Sequence, residues 1–382
     1  MTARKDHIFF KRSIIVKILY VTGTNTYSAG NRVLISWIDF LRSRNFNILV
    51  ASPPGGSLSG ELKKRLPLSN ILFCSFPFLS LRNFYYFIKN FFRVLKFVSH
   101  HRPDIIHCNG EDIYVMMRYI AKILDIPITI HLHFHWPDSF YSWLFKRNFK
   151  PSLIFTVSHA LFEEEASKLK KVIHDLDCVK VLPNCIDIDK QNIPNTSFNF
   201  SDNAKYRLAV VAAIQKRKGQ HYAIQFASRL IKKIDNFALY FAGRVKEEKY
   251  YKACLNILES EQSVKSKIYF LGFVSQIFSF IKNCDLVISF SSYETFGMTV
   301  LESMALGTPV IGFSVPAIEE VLGCNFLTVP FGDVEALVDL AYRILNDSAY
   351  RLSIREYLKE RAMAFTPEKI VPQLIENYKK IL

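Results

Sequence analysis

The sequence predicts an α/β protein in which each half of the chain forms its own doubly wound parallel sheet. In both halves, short β-branched runs that end at polar or glycine residues alternate with longer helical stretches. The chain has 382 residues, which is more than a single hydrophobic core usually holds. Half of its residues are hydrophobic (50%), so a disordered or low-complexity protein is excluded.

The strands are predicted from apolar, β-branched runs bounded by turn residues. In the first half they are Ile14–Thr22, Asn47–Ala51, Asp104–Cys108, Pro127–His133, Ser152–Val157 and Val179–Leu182. In the second half they are Arg207–Ile214, Phe237–Ala242, Lys267–Leu271, Asp285–Phe290, Pro309–Gly312 and Phe326–Val329.

A linker is predicted at 191–203, where Pro194 lies among Asn and Ser residues without periodicity. The predicted domains are therefore 1–200 and 201–365. A last helix follows Thr366-Pro367, a pair suited to a helix start, and residues 366–382 are expected to return to the N-terminal domain.

The charge and the cysteines limit the partners and the compartment. Lys and Arg number 49 against 34 Asp and Glu, a formal charge of +15, which favours nucleic acid, anionic lipid or phosphorylated small molecules. The 7 cysteines form no CxxC pair, which is typical of a reduced, cytosolic protein. The apolar run Ile14–Val21 is short and contains Lys17, so it is a poor signal-peptide core, and no stretch is long enough to span a bilayer.

One segment, 81–102, combines aromatic with basic residues. As a helix it would carry Arg82, Lys89, Arg93 and Lys96 on one face and Phe84, Phe87, Phe91, Leu95 and Val98 on another. Two interpretations stay open: an ordinary helix packed on the sheet, or a basic amphipathic helix lying on a membrane.

The most informative stretch is 289–312, SFSSYETFGMTVLESMALGTPVIG. A strand ends in a polar turn and a helix is predicted over Met298–Leu306, with Glu294 in the loop, Gly297 at the helix entrance and Glu302 in the second turn. Open amides and the helix dipole at such an entrance suit a diphosphate, and two carboxylates suit sugar hydroxyls. The alternative is that Glu294 caps the helix and Glu302 lies on the surface.

This stretch resembles the E-x7-E signature of family 4 retaining glycosyltransferases. The resemblance implies the GT-B fold, in which two Rossmann-like domains face each other across a cleft, the first on the acceptor side and the second binding the nucleotide sugar. Further segments resemble the same family: Phe296-Gly297, 301–305, 307–310, 181–187, 216–219, 270–273, 102–107 and 126–133.

The resemblance implies roles for individual residues. Glu302 would bind the ribose, Glu294 the donor sugar, and Lys218 the diphosphate. Ala213 stands where the family usually has an arginine, and Arg217 is the candidate replacement. The remaining donor contacts are expected from Phe296, Gly297 and Met298 at the helix entrance and from Gly30 in the loop 22–32, although a plain βα turn is the alternative there.

Three histidines, His131, His133 and His135, alternate at the end of a predicted strand. Resemblance assigns His133 to the sugar, with His131 as the runner-up. An HxH pair also suits zinc, which makes a metal-dependent hydrolase an alternative. Residues 315–321 resemble a loop of the family that ends in glutamate, and the resemblance implies that Glu320 is this glutamate and braces the loop.

The predicted protein is a metal-independent, retaining hexosyltransferase without a cofactor. Its predicted catalytic residues are Glu294, Lys218 and His133. The predicted partners are a nucleotide diphosphate sugar, a lipid-linked or oligosaccharide acceptor for lipopolysaccharide, O-antigen or capsule assembly, and an anionic membrane surface, but not nucleic acid. The predicted location is the cytoplasm, free or at the inner membrane face. Besides the hydrolase, the alternatives are an inactive protein that binds lipid or nucleic acid, and an epimerase or phosphorylase on the same scaffold.

Overall fold

The computed structural model describes residues 16–77, 80, 82–145, 149–187, 198–200 and 202–382. The basic start of the chain, the beginning of the strand predicted from Ile14 and most of the predicted linker 191–203 lie outside the described residues.

The strands form two sheets, built from apolar runs whose residues are mostly buried, as parallel strands require. The first sheet contains β1 (Lys17–Val21), β2 (Asn47–Ser52), β3 (Ile71–Phe73), β4 (Ile105–Cys108), β5 (Ile128–Leu132), β6 (Leu153–Thr156) and β7 (Val179–Val181). The second contains β8 (Tyr206–Val211), β9 (Phe237–Ala242), β10 (Ile268–Gly272), β11 (Leu286–Ser289), β12 (Val310–Phe313) and β13 (Thr328–Val329).

The strand orders are β3-β2-β1-β4-β5-β6-β7 and β10-β9-β8-β11-β12-β13. The pairings from β3 to β5 and all pairings of the second sheet are parallel. In each sheet the chain first adds strands on one side of its first strand and then crosses to the other side. This reversal confirms the predicted doubly wound sheets.

Helices connect the strands. They are α1 (Ala29–Ser43), α2 (Gly56–Arg65), α3 (Phe84–His101), α4 (Glu111–Leu124), α5 (Asp138–Leu144), α6 (His159–Ile173), α7 (Gln220–Leu230), α8 (Glu248–Ser260), α9 (Gln262–Lys265), α10 (Ile277–Lys282), α11 (Met298–Leu306), α12 (Pro316–Leu322), α13 (Val334–Asn346), α14 (Ser348–Ala362) and α15 (Pro367–Lys379).

By their internal contacts the residues form two compact units. The first comprises Met1–Leu132, Ser142–Ile154 and Ile375–Leu382, and the second comprises His133–Tyr141 and Phe155–Leu374. In the first unit, the Tyr378 hydroxyl of α15 lies 2.8 Å from His107 Nδ1 of β4. The domain boundaries at 200 and 365 stay predictions.

Several local predictions meet the structure directly. The helix over Met298–Leu306 is confirmed at both ends, because Gly297 (φ +98°) and Gly307 (φ +69°) bound it in left-handed conformations. Strand β3 is missing from the predictions, since three residues carry no measurable alternation. The loop predicted over 315–321 is wrong: Pro316 begins α12, which fits the preference of proline for the first helical turn.

Helix α3 forms where an amphipathic helix was expected, but the predicted buried face is partly wrong. Phe87 and Val98 are buried, whereas Phe84 is 55% exposed. The neighbouring Tyr85 and Phe92 are 70% and 61% exposed. The buried residues of the helix are Phe87, Asn90, Val94 and Val98, whereas Phe84, Tyr85, Tyr86 and Phe92 face solvent and Phe91 and Phe97 are half-buried. Among the described residues, no helix combines the length and the apolar character needed to cross a membrane.

Candidate active site

The second sheet reverses its strand order between β8 and β11. Ligands of open parallel sheets bind beyond the carboxyl ends of the strands at this reversal. The two segments that leave β8 and β11 there are 212–219 and 290–297. They contain five of the predicted site residues, which the structure thus brings to one edge of the sheet: Arg217, Lys218, Glu294, Phe296 and Gly297.

Lys218 and Glu294 form an ion pair. Lys218 Nζ donates a hydrogen bond to Glu294 Oε1, and Ser291 Oγ donates to the same oxygen at 2.8 Å. Both side chains are largely buried, with 14% and 15% of their surfaces exposed. Burial lowers the pKa of Lys218 below its usual value, and the neighbouring Glu294 carboxylate opposes that shift. The two predicted catalytic groups therefore contact each other directly.

Arg217 faces the same loop. Its Nη1 donates to the Tyr293 carbonyl at 3.1 Å and lies 3.6 Å from Glu294 Oε2. The Arg217 carbonyl in turn accepts from the Ser292 amide at 2.9 Å. Arg217 therefore points towards Glu294. At Ala213, the position where an arginine is usual in the family, the carbonyl oxygen accepts a hydrogen bond from Gln220 Nε2 at 3.0 Å.

Gly219 allows the two segments to approach each other. It adopts φ +68°, and a Cβ at this position would lie 2.2 Å from the Phe290 carbonyl oxygen. Only glycine fits both the left-handed conformation and that contact. The position of Lys218 relative to Glu294 thus depends on a glycine one residue away.

Helix α11 begins at Met298, and the preceding residue, Gly297, has no side chain to cap it. Its first amides are therefore open to an anion, and the helix dipole favours negative charge there. Thr299 Oγ1 donates to the Val211 carbonyl at 3.0 Å and so ties the helix start to the end of β8. Glu302 lies in the second turn and is only 2% exposed, which contradicts the alternative that it is a surface residue.

The predicted donor residues on either side of Gly297 have different surroundings. The Phe296 side chain is buried against Phe365, with ring centroids 5.7 Å apart, so it serves packing. Met298, the first residue of α11, is half-buried. Phe296 can therefore meet a ligand only through its backbone.

The residues predicted from the first half lie as follows. Gly30 is the second residue of α1, so its predicted place in a loop is wrong, and a Cβ there would meet open space. His131 belongs to β5, is fully buried and stacks on Trp37 at 5.4 Å. His133 follows β5 and is half-buried, and burial lowers its pKa to about 4, so it is neutral at pH 7.

Glu320 braces a helix rather than its own loop. Its two carboxylate oxygens accept from the backbone amides of His159 and Ala160 at 2.8 and 2.9 Å. These amides are the first of α6, where a carboxylate is favoured by the helix dipole.

Among the described residues, one histidine is grouped with carboxylates at metal-ligand spacing. It is His135, whose Nδ1 lies 3.1 Å from Glu164 Oε1 and 2.6 Å from Glu165 Oε1. Lys168 Nζ lies 2.9 Å from Glu165 Oε1 and 3.0 Å from His135 Nδ1, so an ammonium group already supplies the positive charge. Of the three alternating histidines only His135 belongs to this cluster, so the cluster contains no HxH pair.

Sequence reasoning missed Arg244 and Phe273, which follow β9 and β10 at the same edge of the sheet. The Arg244 guanidinium lies over the Phe273 ring, 4.4 Å from its centroid, and the Phe273 side chain is exposed. A signal was present, because a glycine ends each strand run: Gly243 and Gly272. A Cβ at Gly243 would lie 2.0 Å from the Ala212 carbonyl oxygen, next to β8.

Comparisons with known proteins show the family of the chain. The model of the glycosyl transferases group 1 matches residues 194–361, and that of glycosyltransferase family 4 matches residues 30–190. D-inositol 3-phosphate glycosyltransferase of Corynebacterium urealyticum is 26% identical over 181 residues, 46% of this chain and 43% of that protein. The chain therefore spans less than half of that relative's length in the match.

An O-antigen biosynthesis glycosyltransferase, WclY of Escherichia coli, is 24% identical over 63% of this chain and 69% of its own length. The crystal structure of Anabaena Alr3699/HepE in complex with UDP and glucose has a TM-score of 0.77 and 21% identity, and the match covers 96% of this chain and all of that one (100%). Because the two family models together account for most of the chain, the protein belongs to the family 4 glycosyltransferases of glycosyltransferase group 1, retaining enzymes with the GT-B fold.

Proposed function

We propose that this glycosyltransferase moves a sugar from a UDP-sugar to a hydroxyl group with retention of configuration. The observation that carries the proposal is the buried Lys218–Glu294 pair at the strand reversal, beside the open start of α11. One cation, one carboxylate and a set of free amides match the diphosphate and the hydroxyls of a nucleotide sugar.

The donor is proposed to bind at this edge of the sheet in one orientation. The diphosphate lies at the first amides of α11 and takes Lys218 from its ion pair, while Glu302 accepts from the ribose and Glu294 from the sugar. The base rests on the Arg244–Phe273 pair, since nucleobases stack on aromatic rings and guanidinium planes. UDP is favoured because the related Anabaena protein was crystallised with it.

The chemistry follows from charge. When the glycosidic bond breaks, negative charge grows on the departing diphosphate, and Lys218 with the α11 amides binds that charge more tightly than the ground state. These groups supply the positive charge that a metal supplies in other transferases, so the reaction proceeds without one. The acceptor oxygen attacks on the face from which the nucleotide leaves, and a phosphate oxygen takes its proton. His133 contacts the sugar in its neutral form.

The test is calorimetric binding of UDP and of UDP-glucose, UDP-galactose and UDP-N-acetylglucosamine, in EDTA. We expect UDP to bind and one of the sugars to bind more tightly than the others. Glu302→Gln weakens UDP and UDP-sugar alike, whereas Glu294→Gln weakens only the UDP-sugar. Glu335→Gln, on the exposed face of α13, is the control. Binding that requires a divalent cation, or two site variants identical to the wild type, contradicts the proposal.

The acceptor is proposed to be a lipid-linked saccharide of surface-polysaccharide assembly, reached at the inner face of a membrane. Helix α3 supports this proposal, because Phe84, Tyr85 and Phe92 are exposed on the same helix as Lys89 and Lys96. The helix contains no acidic residue. Exposed aromatics with basic residues bind the interface of an anionic bilayer. The similarity to the O-antigen enzyme favours the same class of acceptor.

Vesicle co-sedimentation tests the membrane contact. We expect binding to vesicles that contain phosphatidylglycerol, weaker binding to pure phosphatidylcholine, and loss in the double variant Tyr85→Ser and Phe92→Ser. Leu352→Ser, which removes an exposed leucine of α14, is the matched control. Equal binding to both vesicle types contradicts the proposal. So does a dimer that light scattering detects in the wild type and not in the double variant, because that result assigns this face of α3 to a second copy of the chain.

A further inference from the structure

We infer that Ser158 and Glu164 are positioning residues that hold the loop on both sides of Glu294. The inference rests on the proposed contact of Glu294 with the donor sugar. Neither residue is part of the E-x7-E segment: they lie about 130 positions earlier in the chain, at and near the start of α6.

The contacts fall on the two residues adjacent to Glu294. Tyr293 donates its hydroxyl to Glu164 Oε2 at 2.9 Å, and the Thr295 carbonyl accepts from Ser158 Oγ at 2.6 Å. Ser158 Oγ also accepts from the Leu161 amide at 3.0 Å, so the residue that caps α6 is the one that holds the loop. The residues before and after Glu294 are thus held by one helix, Tyr293 through its side chain and Thr295 through its backbone.

Helix α6 is itself anchored. The Glu320 carboxylate of α12 binds the first two amides of α6, which stabilises the turn that carries Ser158. From the other side, Arg217 donates to the Tyr293 carbonyl. Tyr293 is therefore held at both its hydroxyl and its backbone. The loop that carries Glu294 is thus fixed by Arg217 on one side and by α6 on the other.

The Glu164 carboxylate has a fixed orientation as well. Its Oε2 accepts from Tyr293, and its Oε1 lies 3.1 Å from His135 Nδ1, a ring that also contacts Glu165 and packs edge-on against Tyr293 at 6.3 Å. Burial, and then the Glu164 carboxylate, raise the pKa of Tyr293 above its usual value. Tyr293 thus stays protonated at physiological pH and remains a hydrogen-bond donor.

This arrangement matters because Glu294 has two competing partners. The buried Lys218 attracts its carboxylate, and a bound sugar must meet it at hydrogen-bond distance. A displacement of about 1 Å is enough to reduce a rate by about a hundredfold. Holding the neighbouring residues sets the depth of Glu294 independently of Lys218.

Tyr293→Phe removes only the hydroxyl and is the principal test. We expect the affinity for whichever UDP-sugar of the panel binds most tightly to fall about tenfold, while the affinity for UDP stays unchanged. Glu164→Gln should act in the same direction, and Ser158→Thr, which keeps a hydroxyl, should be milder than Ser158→Ala. Glu163→Gln, the exposed neighbour in α6, is the matched control.

A double-mutant cycle separates positioning from general damage. In a Glu294→Gln background, Tyr293→Phe should change UDP-sugar affinity less than twofold, because the group it positions is already removed. Equal losses of UDP and UDP-sugar, or full additivity, overturn the inference. If Glu294→Gln has no effect of its own, the proposed function fails; if Glu294→Gln acts and Tyr293→Phe does not, only the positioning role fails.

Discussion

The two sheets share one topology but present different chemistry where their strand order reverses. In the second sheet, the reversal between β8 and β11 presents Lys218, Arg217 and Glu294. In the first, the reversal between β1 and β4 presents the turns 22–28 and 109–110, whose sequences contain no lysine or arginine. Beside them lies the half-buried Asp112 carboxylate, 2.3 Å from where a Gly23 Cβ would stand.

The difference shows that topology and side chains act separately. The doubly wound order determines where a ligand can bind, and the residues in the turns determine which charge it can carry. A diphosphate is attracted by cations and repelled by carboxylates. We therefore expect phosphate binding at the second reversal and not at the first.

The largest effect should come from Lys218→Met, which removes the cation from the second reversal. Turnover should fall about a hundredfold to a thousandfold, the usual cost of losing a charge-stabilising group in the transition state. Steady-state kinetics measure it, with Lys216→Met as the control, because Lys216 belongs to the same 3-10 turn but is exposed. Comparable losses of turnover in both variants would show that the substitutions disturb the turn, and that the loss is not due to the missing charge of Lys218.

The glycines of the two reversals should differ in their response to alanine. At Gly219 the added Cβ meets the Phe290 carbonyl at φ +68°, whereas at Gly23 it meets the end of the Asp112 side chain, which can rotate away. We expect the free energy of unfolding to fall by about 3 kcal/mol for Gly219→Ala and about 1 kcal/mol for Gly23→Ala. Urea denaturation measures both. Gly60→Ala in α2, where an added Cβ would contact nothing, is the control and is expected to be neutral or stabilising.

The pH dependence tests the coupling of Lys218 with Glu294. Burial lowers the pKa of Lys218, and the carboxylate counteracts it. In Glu294→Gln that support is lost, so the pKa of Lys218 falls further and the ammonium deprotonates at lower pH. The alkaline limb of the kcat/KM profile should therefore move to lower pH in the residual activity. If the alkaline limb of the variant lies at the same pH as that of the wild type, the limb reports the titration of a group other than Lys218.

The smallest effect is expected from Asp112→Asn at the first reversal. Burial raises the pKa of Asp112, so its charged form costs stability at pH 7, and that cost disappears once Asp112 is protonated in acid. The variant should raise Tm by about 1 to 3 °C at pH 7, show no gain in acid, and bind UDP like the wild type. Asp235→Asn, on the surface, is the control. Weaker UDP binding in Asp112→Asn would break the distinction between the two reversals.

Local patterns predicted the second sheet and helix α11 well. The glycines on either side of α11 and the carboxylates at positions 294 and 302 are local features, which can be recognised from the neighbouring sequence alone. The exposed side of α3 was harder to predict. Its segment is apolar on more than one face, and periodicity alone does not say which face finds a partner. The start of α1 at Ala29 was misjudged for a related reason, because no side chain caps that helix.

The sequence by itself determined the alternation of strands and helices, the family and the positions of the two carboxylates, because each depends on residues close together in the chain. Only the tertiary structure decided that Lys218 pairs with Glu294, that Arg217 turns towards the same loop, and that Ser158 and Glu164 reach Tyr293 and Thr295. These contacts join residues 76 to 137 positions apart. No local pattern encodes such pairings, since they exist only after the strands have packed in their particular order.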